Sequence, residues 1–326
     1  MNTKGKQVNG FLLPFWMMGS LILLCNCLPG TETRSSKSSV PGSPSKAELP
    51  SPTEAAGPWK LIGVYDASHN IMTAGFLNEQ VVATGGVAGV MAYSGNGAET
   101  WLVTNSMADC RYGMDIISPE VIWSCGGATH VRRSLDGGRT WEMLANFGDP
   151  RTIRGACHSA SFLDETTGWL ANSNMFGTTT DGGASWNLRS LPETAQKIST
   201  IDTFLPGEGY LLDQSGALFY TKDDGQHWVE KSRIETGWPE MAPSAYQLAA
   251  MRFSDAEHGL VVVSSSPFGE ETPVIAFRTS NGGQTWNSEP IPVLAGPVYL
   301  ARQGGYLTVI TGTNQITLLR YEELSD

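Results

Sequence analysis

Charge is scarce in this chain. Asp, Glu, Lys and Arg make up 16% of its 326 residues, against an average of about 25%. Hydrophobic residues reach 40% and tryptophan ten copies, too much apolar surface to stay solvated, so disorder throughout is excluded. The 37 glycines show no three-residue period, which excludes collagen. Basic residues are the scarcer sign: 21 Lys and Arg stand against 32 Asp and Glu. The first 58 residues hold five basic and three acidic groups, so residues 59–326 carry 16 against 29, or −13. A nucleic-acid partner needs clustered Lys and Arg on phosphates, and that field argues against one. The five cysteines have none of the spacings of a zinc site, so neither a metal nor another cofactor is expected. The length admits one large domain or two small ones.

No apolar run is long enough to span a bilayer. The longest, Phe11–Leu24, is shorter than the ~20 residues a spanning helix requires, and Pro14 and Gly19 weaken it further. Lys4 and Lys6 precede it and Cys25, Asn26 and Cys27 follow, the layout of a secretory leader. No A-x-A cleavage site occurs, but a cysteine after the apolar stretch is where bacterial lipoproteins are acylated. Residues 1–28 are therefore read as a signal peptide or lipoprotein signal, with Cys25 or Cys27 as the lipidation site. Leu24 and Asn26 stand where a small residue is usual. Residues 29–58, rich in Ser, Pro, Thr and Gly, read as a flexible tether. The expected location is exported, periplasmic or cell-envelope, with a lipid anchor and an uncleaved leader as alternatives to plain secretion.

What fills residues 59–326 is repetition. The pattern S/T-x-D/N-x-G-x-T/S-W recurs as SGNGAETW (94–101), SLDGGRTW (134–141), TTDGGASW (179–186), TKDDGQHW (221–228) and TSNGGQTW (279–286), with Ala98 in place of the glycine in the first copy and His227 in place of the hydroxyl residue in the fourth. The tryptophans are spaced by 40, 45, 42 and 58 residues. Hydroxyl and Asp or Asn side chains bond the backbone of a tight turn, glycine supplies positive φ, and the indole closes the turn by burial. The structural set is Asp136, Trp141, Asp181, Trp186, Asp223, Trp228, Asn281 and Trp286, each tryptophan expected to be largely buried. Ahead of each turn comes a second recurring phrase, as in SFLDETTGWLAN (161–172) and MRFSDAEHGLVVV (251–263): strand, acidic or glycine turn, Gly-led strand.

The turn is the Asp-box, and the chain resembles the Asp-box (BNR) propellers, the superfamily of sialidases, sortilin-type receptors and photosystem II assembly and stability factors. The last of these is nearest, on phrases such as Phe162-x-Asp164 followed by Gly168-Trp169. The resemblance implies an all-β propeller whose blades hold four strands each. Five blades carry boxes; a sixth (298–321) has three strands and no box. Trp59–Asp66 looks like the segment after each box tryptophan, so it is expected to complete the sixth blade from the N-terminal side. The count is six, although seven blades are usual in the assembly factors and remain the alternative.

In such blades the boxes share one face, and the loops leading into the inner strands share the other, around the channel mouth. On this inlet face the candidate partner-binding residues are Arg111, Tyr112, Arg154, His158, Lys197 and Tyr246, with Trp238 in a long insertion (228–246). They would suit a carboxylate, an acidic peptide or a sugar acid. The alternative pairs each cation with a local Asp, such as Asp109 beside Arg111. A sialidase-type enzyme would need an Arg-Ile-Pro element and three converging arginines. No Arg-Ile-Pro occurs, and nothing selects Arg111, Arg154 and Arg252 over Arg278 or Arg302. No catalytic residue is therefore named. The function expected is a monomeric protein-binding or complex-assembly module, its partner implied by the resemblance to be a membrane-protein complex. The alternative is a carbohydrate-active enzyme or glycan-binding protein. Cys110, Cys125 and Cys157 leave two readings open: one pair forms a disulfide and one thiol is left over, or all three stay reduced.

Overall fold

A computed structural model of the chain describes residues 58–67, 69–105, 110–148, 156–235, 249–265, 274–302 and 305–322. They form six four-stranded antiparallel sheets. Blade 3 shows the plan, with strands Ser159–Phe162, Gly168–Asn172, Met175–Thr179 and Asn187–Arg189 in spatial order. Blades 1 to 6 are headed by the inner strands Ile71–Phe76, Arg111–Ile116, Ser159–Phe162, Ile198–Leu205, Ala249–Phe253 and Val298–Leu300. Each inner strand touches the next, and the sixth touches the first, which closes the ring.

Burial follows from that stacking. A blade is covered on both faces by its neighbours, so its second strand is buried throughout instead of alternating. Val82–Gly86, Ile122–Gly126 and Gly168–Asn172 are buried at every position. The outermost strands lie on the rim, where Leu102–Asn105 and Asn187–Arg189 are largely exposed. The core is accordingly a set of wedges between blades. One joins Trp169, Ala171 and Phe176 of blade 3 to Ile201, Leu211 and Phe219 of blade 4.

The sixth blade is built from both ends of the domain. Trp59–Asp66 runs antiparallel to Gln315–Tyr321, in register from Trp59 opposite Tyr321 to Asp66 opposite Gln315. Trp59 anchors this strand: it is 2% exposed, meets the Tyr321 ring edge-on at 5.4 Å, and its Nε1–H donates to Glu289 of blade 5 at 3.0 Å. The ring has six blades, not seven.

Two further points concern single residues. The box tryptophans are partly buried, each packed against the wedge between two blades, as Trp186 is with Phe147 and Phe162. The fully buried indoles are Trp59, Trp123 and Trp169, Trp123 being stacked on Phe162 with ring centres 3.8 Å apart. Of the cysteine pairings left open by the sequence, Cys125–Cys157 is formed, joining blade 2 to blade 3 with Cα atoms 5.5 Å apart.

Two stability outcomes follow. A chain that starts at Ile71 loses the closing strand and exposes an unpaired edge, so it should melt well below one that starts at Ala55; equal melting temperatures would refute closure. Trp123→Ala or Trp169→Ala should cost about 3–5 kcal/mol. Trp141→Ala, being half-buried, should cost roughly 1–2 kcal/mol, and chemical denaturation ranks the three.

Candidate functional site

The boxes set one face of the ring. In the second box Ser134 Oγ donates to Asp136 Oδ1 (2.8 Å) and accepts from the Gly138 N–H (2.8 Å), while Asp136 takes the N–H and hydroxyl of Thr140 at 2.8 and 2.6 Å. Thr179 and Asp181, Thr221 and Asp223, and Thr279 and Asn281 repeat it, with Ser185, His227 and Thr285 on the acidic or amide group. Two successive residues must adopt positive φ, as Gly137 (67°) and Gly138 (74°) do. Where glycine is missing the geometry persists, with Ala98 at 64° and Asp224 at 56°. Asp181 is held at about 2 by the Ser185 hydroxyl and N–H. Asp223 is held at about 2 by His227, through its N–H and then its ring.

The channel end beneath this face is plugged by a polar belt. The penultimate or equivalent residue of each inner strand contributes to it: Gly75, Asp115, Ser161, Asp202, Arg252 and Tyr299 share one register position. Asp115 and Asp202 are wholly buried. Asp115 accepts the Phe162 N–H (2.7 Å) and Asp202 the Phe253 N–H (2.7 Å). Arg252 donates to both, at 2.8 Å to Asp115 and 2.9 Å to Asp202. Arg302 enters from the turn after Val298–Leu300 and donates to Ser161 Oγ (3.0 Å) and the Thr203 carbonyl (2.9 Å), 3.5 Å from Asp115. Tyr299 accepts the Ile116 N–H at 3.0 Å and donates to Asp115 at 3.3 Å. Gly75 leaves room for that ring, since a Cβ there would lie 2.7 Å from it.

Burial alone would lower the Arg252 guanidinium, but Asp115 and Asp202 outweigh it and hold it charged. Burial pushes Asp202 above the usual carboxylate range, against the pull of Arg252 and Arg302. The belt is charge-balanced and its ion pairs close within the ring. It is a clamp between blades that holds Arg252 and Arg302 by Asp115 and Asp202. Arg278 is likewise engaged, 3.3 Å over the Tyr321 ring centre and 3.5 Å from Glu289.

On the inlet side the candidates separate. Tyr112 is half-buried, in the irregularity between Arg111 and Gly113. Lys197 is exposed, and its carbonyl accepts the Gln214 N–H at 2.8 Å. His158 is 4% exposed; its Nε2 is 3.3 Å from Ser173 Oγ, and burial brings it down to about 4, so it is a neutral packed imidazole. Cys157 shares none of its chemistry, being in the disulfide. The Arg111 side chain and all of Asp109, Arg154, Trp238 and Tyr246 lie outside the described residues, as do Cys25 and Cys27. Among the described residues no group of three His, Cys, Asp or Glu is placed to hold a metal ion. Clefts of about 640 and 370 Å³ open on the outer rim between blades 3 and 4 and at the closing strand, away from the channel. The belt is what sequence reasoning missed; its only signal was a polar residue near the end of five of the six inner strands, with Gly75 in the first.

The family described as the photosynthesis system II assembly factor YCF48, a BNR repeat family, matches residues 152–239, the span of blades 3 and 4. The photosystem II assembly lipoprotein Ycf48 of Synechococcus sp. (strain CC9902) is 32% identical over 156 residues, 46% of this chain and 42% of the relative. Over that part its sequence is similar to the Ycf48 assembly factors. The match spans less than half the length of that relative. Among solved structures, YCF48 bound to D1 peptide has a TM-score of 0.48 at 19% identity, covering 83% of this chain and 98% of the other. YCF48 from Cyanidioschyzon merolae has a TM-score of 0.48 at 16% identity, covering 82% and 99%.

Acid should test the boxes. Asp181 and Asp223 sit at about 2 when folded and near about 4 when unfolded. Their contribution is full above about pH 4 and is lost as pH falls through about 2. Asp181→Asn, which copies the amide of the Asn96 and Asn281 boxes, should flatten that acid loss in melts between pH 7 and pH ~2; an unchanged slope would remove the box carboxylates as its source. Arg252→Ala leaves Asp115 and Asp202 buried without their cation and should cost about 3–5 kcal/mol, read by denaturant unfolding.

Proposed function

We propose that this protein is an exported, membrane-tethered assembly factor, binding a protein component of a photosystem II-type complex on the inlet face of its ring. The observation that carries this reading is the match to the assembly-factor family across blades 3 and 4, joined to the 32% identity with an assembly lipoprotein. Tethering rests on the leader and on Cys25 or Cys27, followed by the polar segment to residue 58. A tether of about thirty residues rich in Ser, Pro, Thr and Gly is long enough for the ring to reach its partner without being pressed on the bilayer.

The choice of face rests on charge. Five of the six turns that follow inner strands carry a carboxylate, on Glu79, Glu120, Asp164, Glu208 and Asp255. The box carboxylates Asp136, Asp181 and Asp223 lie on that same side. An acidic segment of a partner would be repelled there. The inlet loops instead offer Arg111, Arg154 and Lys197, with Tyr112, Tyr246 and Trp238 as apolar anchors of the kind that dominate contacts. The carbohydrate-active alternative has no such support, because Arg252 and Arg302 are held by Asp115 and Asp202.

Cross-linking of the tagged protein in its native membranes identifies the partner. Replacing Arg111 and Arg154 by Glu should abolish its capture while leaving the melting temperature nearly unchanged, and added salt should weaken capture by screening exposed pairs. Capture that survives the reversal and ignores salt would move the contact to another surface. Capture of no membrane-complex subunit would overturn the assembly role itself.

A further inference from the structure

Two of the five boxes place an asparagine directly before a glycine, as Asn96–Gly97 in the first and Asn281–Gly282 in the fifth. Such an asparagine carries the most labile amide of a chain, because no side chain on the next residue shields its backbone nitrogen from the carboxamide carbon. In both boxes that nitrogen is engaged. The Gly97 N–H donates to the Gln80 carbonyl and the Gly282 N–H to the Glu257 carbonyl, each at 2.8 Å. The carboxamides are fastened as well. Oδ1 accepts the N–H of Thr100 (3.1 Å) or Thr285 (3.0 Å), and Nδ2 donates to the hydroxyl of the same threonine at 3.0 or 2.8 Å. A closed box thus holds both reacting groups in other bonds.

The two boxes differ one residue further on. The second positive φ is taken by Gly283 (79°) in the fifth box and by Ala98 (64°) in the first. A residue with a Cβ is strained in that conformation, and opening the turn releases the strain. The first box also borders the cleft of about 370 Å³ at the closing strand, which Asn96 and Gly97 line. Its cover is shared with blade 6, where Arg320 donates at 2.8 Å to Glu79, the neighbour of Gln80.

We propose that Asn96 is a modification site gated by its own turn: it deamidates when the first box opens, and does so ahead of Asn281. On local opening the Gly97 nitrogen attacks Cγ of Asn96 and a C–N bond forms. The Cγ–Nδ2 bond breaks, and ammonia leaves with the proton that the Gly97 nitrogen gives up. Water then opens the cyclic imide. Cleavage at the side-chain carbonyl gives aspartate, and cleavage at the main-chain carbonyl gives isoaspartate. Water is the one co-reactant, and nothing is oxidised or reduced. The two products act differently on the ring. Aspartate rebuilds the turn, as Asp136 does by accepting the Thr140 hydroxyl at 2.6 Å, and adds a negative charge to the box side. Isoaspartate lengthens the main chain by one methylene between Ser94 and Ala98. The bond from the Ala98 N–H to Ser94 Oγ, 3.0 Å in the closed box, is then out of register.

The full-length protein is incubated at neutral pH, folded and in denaturant, then digested and followed by peptide mass spectrometry. Cleavage after Glu79 and Glu99 isolates Asn96 as the one asparagine of its peptide. Dividing each site's rate in denaturant by its rate in the folded protein gives its protection and cancels differences of local sequence. Both sites should be protected, Asn281 by about three- to tenfold more than Asn96. Ala98→Gly should bring Asn96 up toward the protection of Asn281. No protection at Asn96, equal protection at the two sites, or greater protection at Asn96 would each overturn the proposal, as would a folded Ala98→Gly variant whose Asn96 reacts at the original rate. The comparison within the wild-type chain decides even if the variant fails to fold.

Discussion

An inner strand of a propeller is an edge strand, and an edge must spend its outward N–H groups somewhere. Here the last outward donor of each of five inner strands is taken by a side chain from another blade. Thr308 takes the Phe76 N–H, Tyr299 that of Ile116, Asp115 that of Phe162, Ser161 that of Thr203, and Asp202 that of Phe253. Much else at the centre follows from this hand-off. Two of the acceptors are wholly buried carboxylates, which cannot stay charged without a cation. Arg252 answers with a planar fork that meets both at once, and a lysine in its place would reach only as a point charge. Tyr299 needs the width of an absent side chain, which Gly75 provides. The blades are thus fastened across the axis by polar groups and between neighbours by apolar wedges.

The turns at the other ends of the blades solve a different problem. Two successive residues with positive φ at each box cost backbone freedom, so the hydroxyl and the Asp or Asn that hold them are not interchangeable decoration. Asp and Asn serve equally in geometry, as the Asn96 and Asn281 boxes show. They differ in charge, and three of the five boxes carry Asp. The same turn chemistry that closes the blades therefore makes one side of the ring acidic. The inner-strand turns add to it, because Asp164 and Asp255 cap their own following N–H groups in the same way.

Whatever is fixed by a local pattern could be read from the sequence. The boxes recur with fixed internal spacing, the blade phrase recurs before them, and a three-stranded remnant at one end calls for a strand from the other. The belt could not be read in that manner, because its members are chemically unlike: glycine, aspartate, serine, arginine and tyrosine at one register position. Asp115 and Arg252 are 137 residues apart, and in one dimension Asp115 looks no different from a solvated Asp. His158 was taken for a rim residue because it precedes a strand; the side chain turns inward and bonds Ser173. The cysteine pairing was open because spacing alone does not set it.

A plugged channel has a consequence for how such a ring can act. With Arg252 and Arg302 committed to Asp115 and Asp202, a ligand that drew either guanidinium away would leave a buried charge unpaired. That cost is large enough to reserve the belt for holding the ring together. Recognition is then left to loops, which can vary without disturbing the hand-off between blades. Among the described residues, the box side carries the carboxylates of the boxes and of the inner-strand turns, while Lys197 is exposed on the inlet side. A rigid, closed scaffold carrying unlike faces suits a module that presents one surface to a partner and keeps the other clear of it.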